Sequence, residues 1–286
     1  MTPLSVDDGS LDQWAADLRR LDRDRFLCLL CADAAARPGL FALYAFNLEI
    51  ARIPDLVSEP VLGQMRLQWW REQLPSILAG EPQRQPLAQA LADLAAAGVI
   101  RRGELETYLD AREGDLFEDP PADLAALEAY LMDTNGIIAA WAVRHLWGEE
   151  SGLGWLSAVT KATGLLGVIR SLPFKGAMRL ARLPADSGLD ADALMARDVT
   201  EPLRSAVKSL SLRAGELLDE ARKDTKAPRA LRPLALRPLA LPAVFGRHHL
   251  ARLEQADFDP YDPRLARQSG PGALLRMIWA NRTGRL

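Results

Sequence analysis

The sequence predicts an all-α protein, a single domain of roughly ten helices. Apolar residues recur three and four positions apart through most of the 286 residues, and the alternation typical of strands is almost absent. Hydrophobic residues make up 49% and charged residues 26%, which is ordinary for a globular protein with a substantial core. No break in composition divides the chain. We therefore predict a flexible N-terminal tail, residues 1–11, and one helical domain, residues 12–286.

Helical periodicity and turn residues define the predicted helices in order. Pro54 is expected to end or kink the helix before it, and Pro173 to end the helix before it, because proline removes a backbone donor and disfavours helix in its predecessor. Asp190 is expected to open a short helix. Residues 164–167 form a small-residue face that predicts close helix packing. The remaining helices are predicted over residues 12–30, 40–53, 61–78, 87–97, 104–113, 124–132, 137–147, 157–172, 201–223, 244–255 and 272–279.

Charge and cysteine usage exclude several classes of function. The net charge is −3 and basic residues are spread along the chain, so we expect no nucleic-acid binding. Cys28 and Cys31 have no neighbouring histidines, since His145, His248 and His249 lie far away. We interpret the two cysteines as small buried hydrophobic residues in a reducing, cytoplasmic compartment, rather than as a zinc site.

Membrane insertion is also not expected from the sequence. The first ten residues are acidic and polar, unlike a signal peptide, and no run of about 18 apolar residues exists that would form a transmembrane segment. No basic amphipathic stretch is evident that would favour binding to a membrane surface.

Two sets of carboxylates have a spacing that can bind Mg²⁺. Asp55 and Glu59 are four residues apart, and Asp115, Glu118 and Asp119 follow the pattern D-x-x-E-D. Side chains four apart share a helix face, and carboxylates with substrate phosphates are typical ligands of Mg²⁺. Pro54 and Pro60 flank the first set and Pro120 follows the second, however, so solvated turns or helix caps are the competing interpretation.

Polar residues interrupt the apolar helix that ends at Pro54. They are candidates for lining a ligand pocket, because polar groups within an apolar helix require partners. With Asp115 from elsewhere in the chain, the set is Tyr44, Asn47, Glu49, Arg52, Asp55 and Asp115.

Several segments, in order along nearly the whole chain, together resemble the squalene/phytoene synthase family. The residues that carry this resemblance are Leu43–Phe46, Trp69–Arg71, Gly114–Leu116, Leu127–Tyr130, Gly164–Arg170, Leu183–Pro184 and Ala256–Asp259. The resemblance implies an isoprenoid-synthase-like helical bundle around a central cavity. It also implies condensation of two prenyl diphosphates, with two aspartate clusters that hold Mg²⁺ on the diphosphates.

The chain departs from the family at both aspartate clusters. The first cluster falls on residues 51–55, where Ala51 and Arg52 replace aspartates and only Asp55 remains. The second follows Arg170 and falls on residues 171–175, which contain no carboxylate and end in Lys175. A cation cannot share a site with Mg²⁺, so this departure from the family pattern implies no metal site, no cofactor and no catalytic residue here beyond Asp55, the one aspartate left at a matching position.

One branch of the family has the same loss, and it includes an assembly factor of mitochondrial respiratory complex I. The runs at residues 170–174 and 256–260 are similar to that branch. The resemblance thus implies a non-catalytic assembly or biogenesis factor. Its expected partners are proteins, respiratory-chain subunits or other assembly factors, and its expected location is the cytoplasm or the surface of the inner membrane.

Two alternatives stay open. The chain could be an active, Mg²⁺-dependent prenyltransferase that uses Asp55, Glu59 and the carboxylates at 115–119. It could also bind a prenyl diphosphate or lipid without chemistry, with Arg52, Arg170 and Lys175 holding the diphosphate. These three cations would otherwise form internal ion pairs with Glu49, Asp55 and Asp115.

Overall fold

The computed structural model describes residues 4–82, 84–117, 119–148, 154–175, 181–224 and 234–285. Within these residues there are fourteen α-helices, twelve of them of seven residues or more, and no strand, which confirms the all-α class. The helices are α1 Asp8–Leu21, α2 Arg23–Leu29, α3 Arg37–Ala51, α4 Pro60–Ala79, α5 Pro86–Ala96, α6 Arg102–Glu113, α7 Leu124–Leu131, α8 Ile137–Leu146, α9 Gly154–Lys175, α10 Ala191–Ala196, α11 Glu201–Asp224, α12 Arg237–Ala240, α13 Pro242–Gln255 and α14 Pro271–Thr283.

Contacts between residues group the chain into two compact units. Unit 1 comprises Met1–Phe117, Ile137–Gly152 and Pro233–Leu239. Unit 2 comprises Glu118–Gly136, Leu153–Arg232 and Ala240–Leu286. Each unit is therefore assembled from segments that are distant in the sequence. The single domain over residues 12–286 stays a prediction.

Unit 1 has an aromatic core around α3, which is apolar on most sides. The Phe46 ring lies 5.0 Å from Trp70, 5.4 Å from Tyr108 and 6.2 Å from Trp141, between ring centroids. These spacings are typical of favourable aromatic pairs. One α3 residue thus joins α4, α6 and α8 into the same core.

The start of the chain differs from the prediction of one helix over residues 12–30. Asp7 caps α1, because its carboxylate accepts a hydrogen bond from the Ser10 backbone at 2.7 Å. Residues 8–11, predicted as part of the tail, are consequently helical, whereas residues 1–3 lie outside the described residues. Asp22 then separates α1 from α2 and caps α2.

The two prolines expected to end helices behave differently. Pro54 confirms the prediction, since α3 ends at Ala51 and a 3₁₀ turn follows at Ile53–Asp55. The prediction for Pro173 is wrong, because α9 continues to Lys175. A proline two residues from a helix end removes only one intrahelical donor, and the Pro173 carbonyl accepts a hydrogen bond from Arg197 Nη2 at 3.0 Å.

Unit 2 is built around α9, which packs along α11 and against α7 and α13. Gly164 allows this approach: a Cβ there would lie 2.8 Å from Leu131 Cδ2 on α7. Gly167 is exposed and has no heavy atom within 4 Å of such a Cβ. The predicted close packing is therefore confirmed at Gly164 and is not required at Gly167. Asp190 caps α10 as predicted.

Candidate functional site

A polar cluster joins α3 to α6 inside unit 1. The Asn47 side-chain oxygen accepts hydrogen bonds from the Tyr108 hydroxyl at 3.0 Å and from Arg112 Nη2 at 2.9 Å. Arg112 Nη1 also donates to the Asp115 carboxylate at 3.2 Å. Helical spacing explains the grouping, because Tyr108, Arg112 and Asp115 are four and three residues apart and so share a face. We define Asn47, Tyr108, Arg112 and Asp115 as the α3–α6 cluster.

The two opposite charges of the α3–α6 cluster balance each other. Burial raises the pKa of Tyr108, although the neighbouring Arg112 charge and hydrogen bond act to lower it. The buried Arg112 guanidinium lies 5.4 Å from the Tyr108 ring and is balanced by the Asp115 carboxylate. Asp115 therefore serves as an ion-pair partner within the fold. Asn47 and Asp115 were predicted from the sequence; Tyr108 and Arg112 were not, although their spacing of four on one helix face was a usable indication.

A pocket of about 500 Å³ lies in unit 1 beside α1, α3 and α4. Three tryptophans, Trp14, Trp69 and Trp70, form much of its apolar wall, together with leucines from four segments. Its polar lining comprises Gln13, Asp17, Glu49, Arg52 and Arg66. An apolar cavity with a few polar groups on one side is typical of a site for an amphipathic small molecule. We call it the tryptophan pocket.

Glu49 and Arg52, both predicted candidates, line the tryptophan pocket. Desolvation by the pocket walls raises the pKa of Glu49, against a hydrogen bond from Trp70 and the charge of Arg66, which lower it. Glu49 is exposed to the open space of the pocket, and the neighbouring walls remove part of the water around it. The lining thus contains both a carboxyl with a weakened tendency to ionise and two arginines.

Tyr44 and Asp55 lie in other surroundings. The Tyr44 ring is buried beneath the Arg25 guanidinium, at 5.0 Å from the ring centroid, and burial raises the pKa of its hydroxyl. Asp55 is exposed in the 3₁₀ turn after α3, and Glu59 is exposed just before α4. The structure therefore does not gather Tyr44 and Asp55 with Glu49 and Arg52 in one pocket.

The predicted metal ligands do not form a recognisable cluster. In the described part of the chain, no group of three or more His, Cys, Asp or Glu side chains is arranged to hold a metal ion. Asp115 binds Arg112, Asp119 is exposed in unit 2, and Glu118 lies outside the described residues.

Arg170 and Lys175 are on α9 in unit 2. Arg170 is exposed and Lys175 is half-buried. Elsewhere in unit 2, Lys161 on α9 and Arg213 on α11 share the Glu128 carboxylate, at 2.9 and 2.7 Å. Burial opposes ionisation of Glu128, but these two hydrogen-bonded cations outweigh it and lower its pKa.

The cysteines match their interpretation as hydrophobic residues. Cys28 is buried, Cys31 is half-buried, and both are free. Burial raises the pKa of both thiols, which suppresses the reactive thiolate.

Among the described helices, none is long and apolar enough to cross a bilayer.

The protein has the isoprenoid synthase fold, as its similarity to solved structures shows. The structure of a dehydrosqualene synthase in complex with a ligand is similar to it, with a TM-score of 0.78 over 96% of each chain and 15% sequence identity. At this identity the likeness shows the fold alone.

The model of the squalene/phytoene synthase family matches residues 18–270, and the chain belongs to this family. Among curated relatives, a Bos taurus protein is 28% identical over 276 residues, which cover 93% of this chain and 80% of the relative. A Homo sapiens protein is 27% identical over 261 residues, which cover 88% and 76%. Both relatives are named NADH dehydrogenase (ubiquinone) complex I, assembly factor 6.

Proposed function

We propose that this protein is a non-catalytic member of the squalene/phytoene synthase family that acts in the assembly of a respiratory NADH dehydrogenase. The observation that carries the proposal is the similarity, over 93% of the chain, to a relative named as a complex I assembly factor. Its partners would be subunits of that complex or other assembly factors.

The residues at the positions of the family's aspartate clusters support a non-catalytic role. Ala51 and Arg52 occupy the first cluster, and residues 171–175 contain no carboxylate. Arginine repels a divalent cation and provides no oxygen ligand. The Asp115 carboxylate, which has the spacing of a metal ligand, is hydrogen-bonded to Arg112. These substitutions would remove the charge that neutralises a diphosphate leaving group.

An exposed apolar surface on unit 1 supports binding to another protein. It lies on the first two turns of α4 and on the segments beside it, and consists of Leu56, Val61, Leu62, Met65 and Phe117. Folding alone does not favour large apolar side chains in water, and clusters of this kind mark interaction sites. We call these five residues the α4 surface.

Complementation in the source organism tests the proposal. A strain that lacks the gene is given the wild-type protein or the double variant Leu62→Glu/Met65→Glu, and assembled NADH dehydrogenase is measured on native gels. We expect the double variant to assemble much less of the complex, while Leu212→Glu, at a leucine of α11 that is also exposed, assembles normal amounts. Normal assembly in the strain that lacks the gene would refute the assembly role.

Enzyme assays test the absence of catalysis. The purified protein is incubated with farnesyl diphosphate and Mg²⁺, and products are measured with and without the substitution Asp55→Asn. We expect no product with either protein. Turnover by the wild type that Asp55→Asn abolishes would establish the active prenyltransferase instead.

A second candidate function, binding of a prenyl diphosphate or lipid without chemistry, is favoured by the tryptophan pocket. Its aromatic wall suits an isoprenoid chain, and Arg52 and Arg66 suit a diphosphate. Titration calorimetry with farnesyl diphosphate in a chelator tests this function. Binding that Arg52→Gln weakens about tenfold, and that Arg102→Gln outside the pocket leaves unchanged, would support it. Binding that requires Mg²⁺ would contradict it.

A further inference from the structure

The last helix, α14, exposes three large apolar side chains and packs two alanines and a methionine inward. The residues packed inward are Ala273, Met277 and Ala280, at the i, i+4, i+7 spacing of one helix face. On the opposite side, Leu275, Ile278 and Trp279 are 67%, 56% and 54% exposed. Folding alone would favour burial of these three side chains over burial of the two alanines, because a large side chain removes more apolar surface from water.

The same segment has a strongly positive charge. Residues 264–285 contain five arginines and no acidic residue, in a chain whose net charge is −3. Arg264 is paired with Asp262 at 2.6 Å. Arg276 and Arg282 are exposed on α14 itself, beside and between the apolar side chains. A helix with arginines and an exposed tryptophan, isoleucine and leucine has the composition of helices that lie in the membrane interface.

We propose that the outer face of α14 docks this protein onto the surface of an anionic lipid membrane. Leu275, Ile278 and Trp279 would enter the boundary between headgroups and acyl chains, and Arg276 and Arg282 would contact lipid phosphates. This inference is independent of the proposed assembly function, since vesicle binding is measured without any partner protein. It differs from the expectation, made from the sequence, that no basic amphipathic stretch favours a membrane surface.

The size and charge of this face favour a lipid surface over a second copy of the chain. Three side chains expose at most a few hundred Å², whereas a stable interface buries about 800 Å² on each partner. Two copies would also bring the same arginines together, which is repulsive. An anionic membrane removes both difficulties, because it is continuous and of opposite charge.

Sedimentation with vesicles tests the docking. The full chain is mixed with vesicles of phosphatidylcholine alone or of an equal mixture of phosphatidylcholine and phosphatidylglycerol. We expect sedimentation with the mixed vesicles only, weakened by high salt. The variant Ile278→Gln/Trp279→Gln should bind about tenfold more weakly. Leu212→Gln, at a leucine of α11 that is 59% exposed, should bind like the wild type.

A pair of charge variants tests the role of the arginines. Arg276→Gln should weaken partition into the mixed vesicles about fivefold, the effect of one cation near an anionic surface. Arg102→Gln, an equal change of charge on α6, should have a much smaller effect. Equal effects of the two variants would mean that the net charge of the protein alone causes its attraction to the vesicles. That result would overturn the assignment to α14.

Three other outcomes would overturn the proposal. The first is no sedimentation of the wild type with mixed vesicles, which would leave an acidic protein surface as the partner of this face. The second is unchanged binding of the Ile278→Gln/Trp279→Gln variant. The third is a dimer of the wild type, measured by light scattering, that this variant dissociates, because α14 would then be an interface between copies.

Discussion

The Asn47 side-chain oxygen accepts the Tyr108 hydroxyl hydrogen bond at 3.0 Å, across 61 positions of sequence. The same oxygen accepts from Arg112, so one acceptor on α3 satisfies two donors on α6. Both donors belong to buried residues, and an unsatisfied buried donor costs free energy. This one side chain therefore orients α6 against α3.

Replacing Asn47 tests the importance of the α3–α6 cluster. Asn47→Leu keeps the approximate size of the side chain but leaves the two donors without this acceptor. We expect the free energy of unfolding to fall by about 2–4 kcal/mol, measured by chemical denaturation. Tyr108→Phe, which removes one donor and leaves the acceptor in use, should cost about 1 kcal/mol. A loss below about 0.5 kcal/mol in Asn47→Leu would show that the cluster is not needed for stability.

A close approach between Gly39 and His145 predicts a second effect. A Cβ at Gly39 would overlap the His145 imidazole, so Gly39→Ala should destabilise unit 1 by about 1–3 kcal/mol. Gly103→Ala is the matched control, because a Cβ there meets no heavy atom within 4 Å. In thermal unfolding the control should be neutral or slightly stabilising. If His145→Ala in the Gly39→Ala background fails to recover part of the loss, the overlap is not its cause.

His145 also makes stability depend on pH. Burial lowers the pKa of its imidazole from 6.5, although the hydrogen bond of Nε2 to the Ala36 carbonyl at 2.9 Å acts to raise it. Below pH 6.5 the unfolded chain therefore binds a proton that the folded protein resists, and the free energy of unfolding falls as pH falls. The contribution is at most about 1.4 kcal/mol per pH unit.

The substitution His145→Gln isolates this contribution. Denaturant titrations between about pH 7.5 and pH 5.5 should give a shallower pH slope for the variant, since one titrating group is removed. His248 and His249 remain in both proteins, so their contributions cancel in the comparison. An identical slope in the two proteins would mean that His145 titrates equally in the folded and unfolded states.

Two glycines of α9 predict opposite effects of the same substitution. Gly164→Ala places a methyl group 2.8 Å from Leu131, and we expect a loss of about 1–3 kcal/mol. Gly167→Ala meets nothing within 4 Å, and we expect a gain of about 0.4–1 kcal/mol from the reduced entropy of the unfolded chain. Melting temperatures of the two variants should lie on opposite sides of the wild type. The same direction for both would contradict the packing of α9 on α7.

Much of the fold was predictable from the sequence, since helical periodicity and capping residues act locally. Most helix ranges agree with the predictions to within a few residues, and Pro54 and Asp190 act as expected. The resemblance to the squalene/phytoene synthase family, carried by residues from Leu43 to Asp259, is confirmed by the family match.

The candidate site was predicted only in part. Sequence analysis found Asn47, Glu49, Arg52 and Asp115, but it could not divide them between the α3–α6 cluster and the tryptophan pocket. The packing of one helix on another determines which polar side chains come into contact. Asn47 and Arg112, for example, form a hydrogen bond although they are 65 positions apart in the sequence.

What the sequence by itself determined is the helical class and the family, because each is carried by local patterns of residues. Only the tertiary structure decided that Arg112 binds Asn47 and that α14 exposes Trp279 while it buries Ala280. The physical reason is that periodicity predicts an amphipathic face, whereas exposure depends on which face the rest of the chain covers.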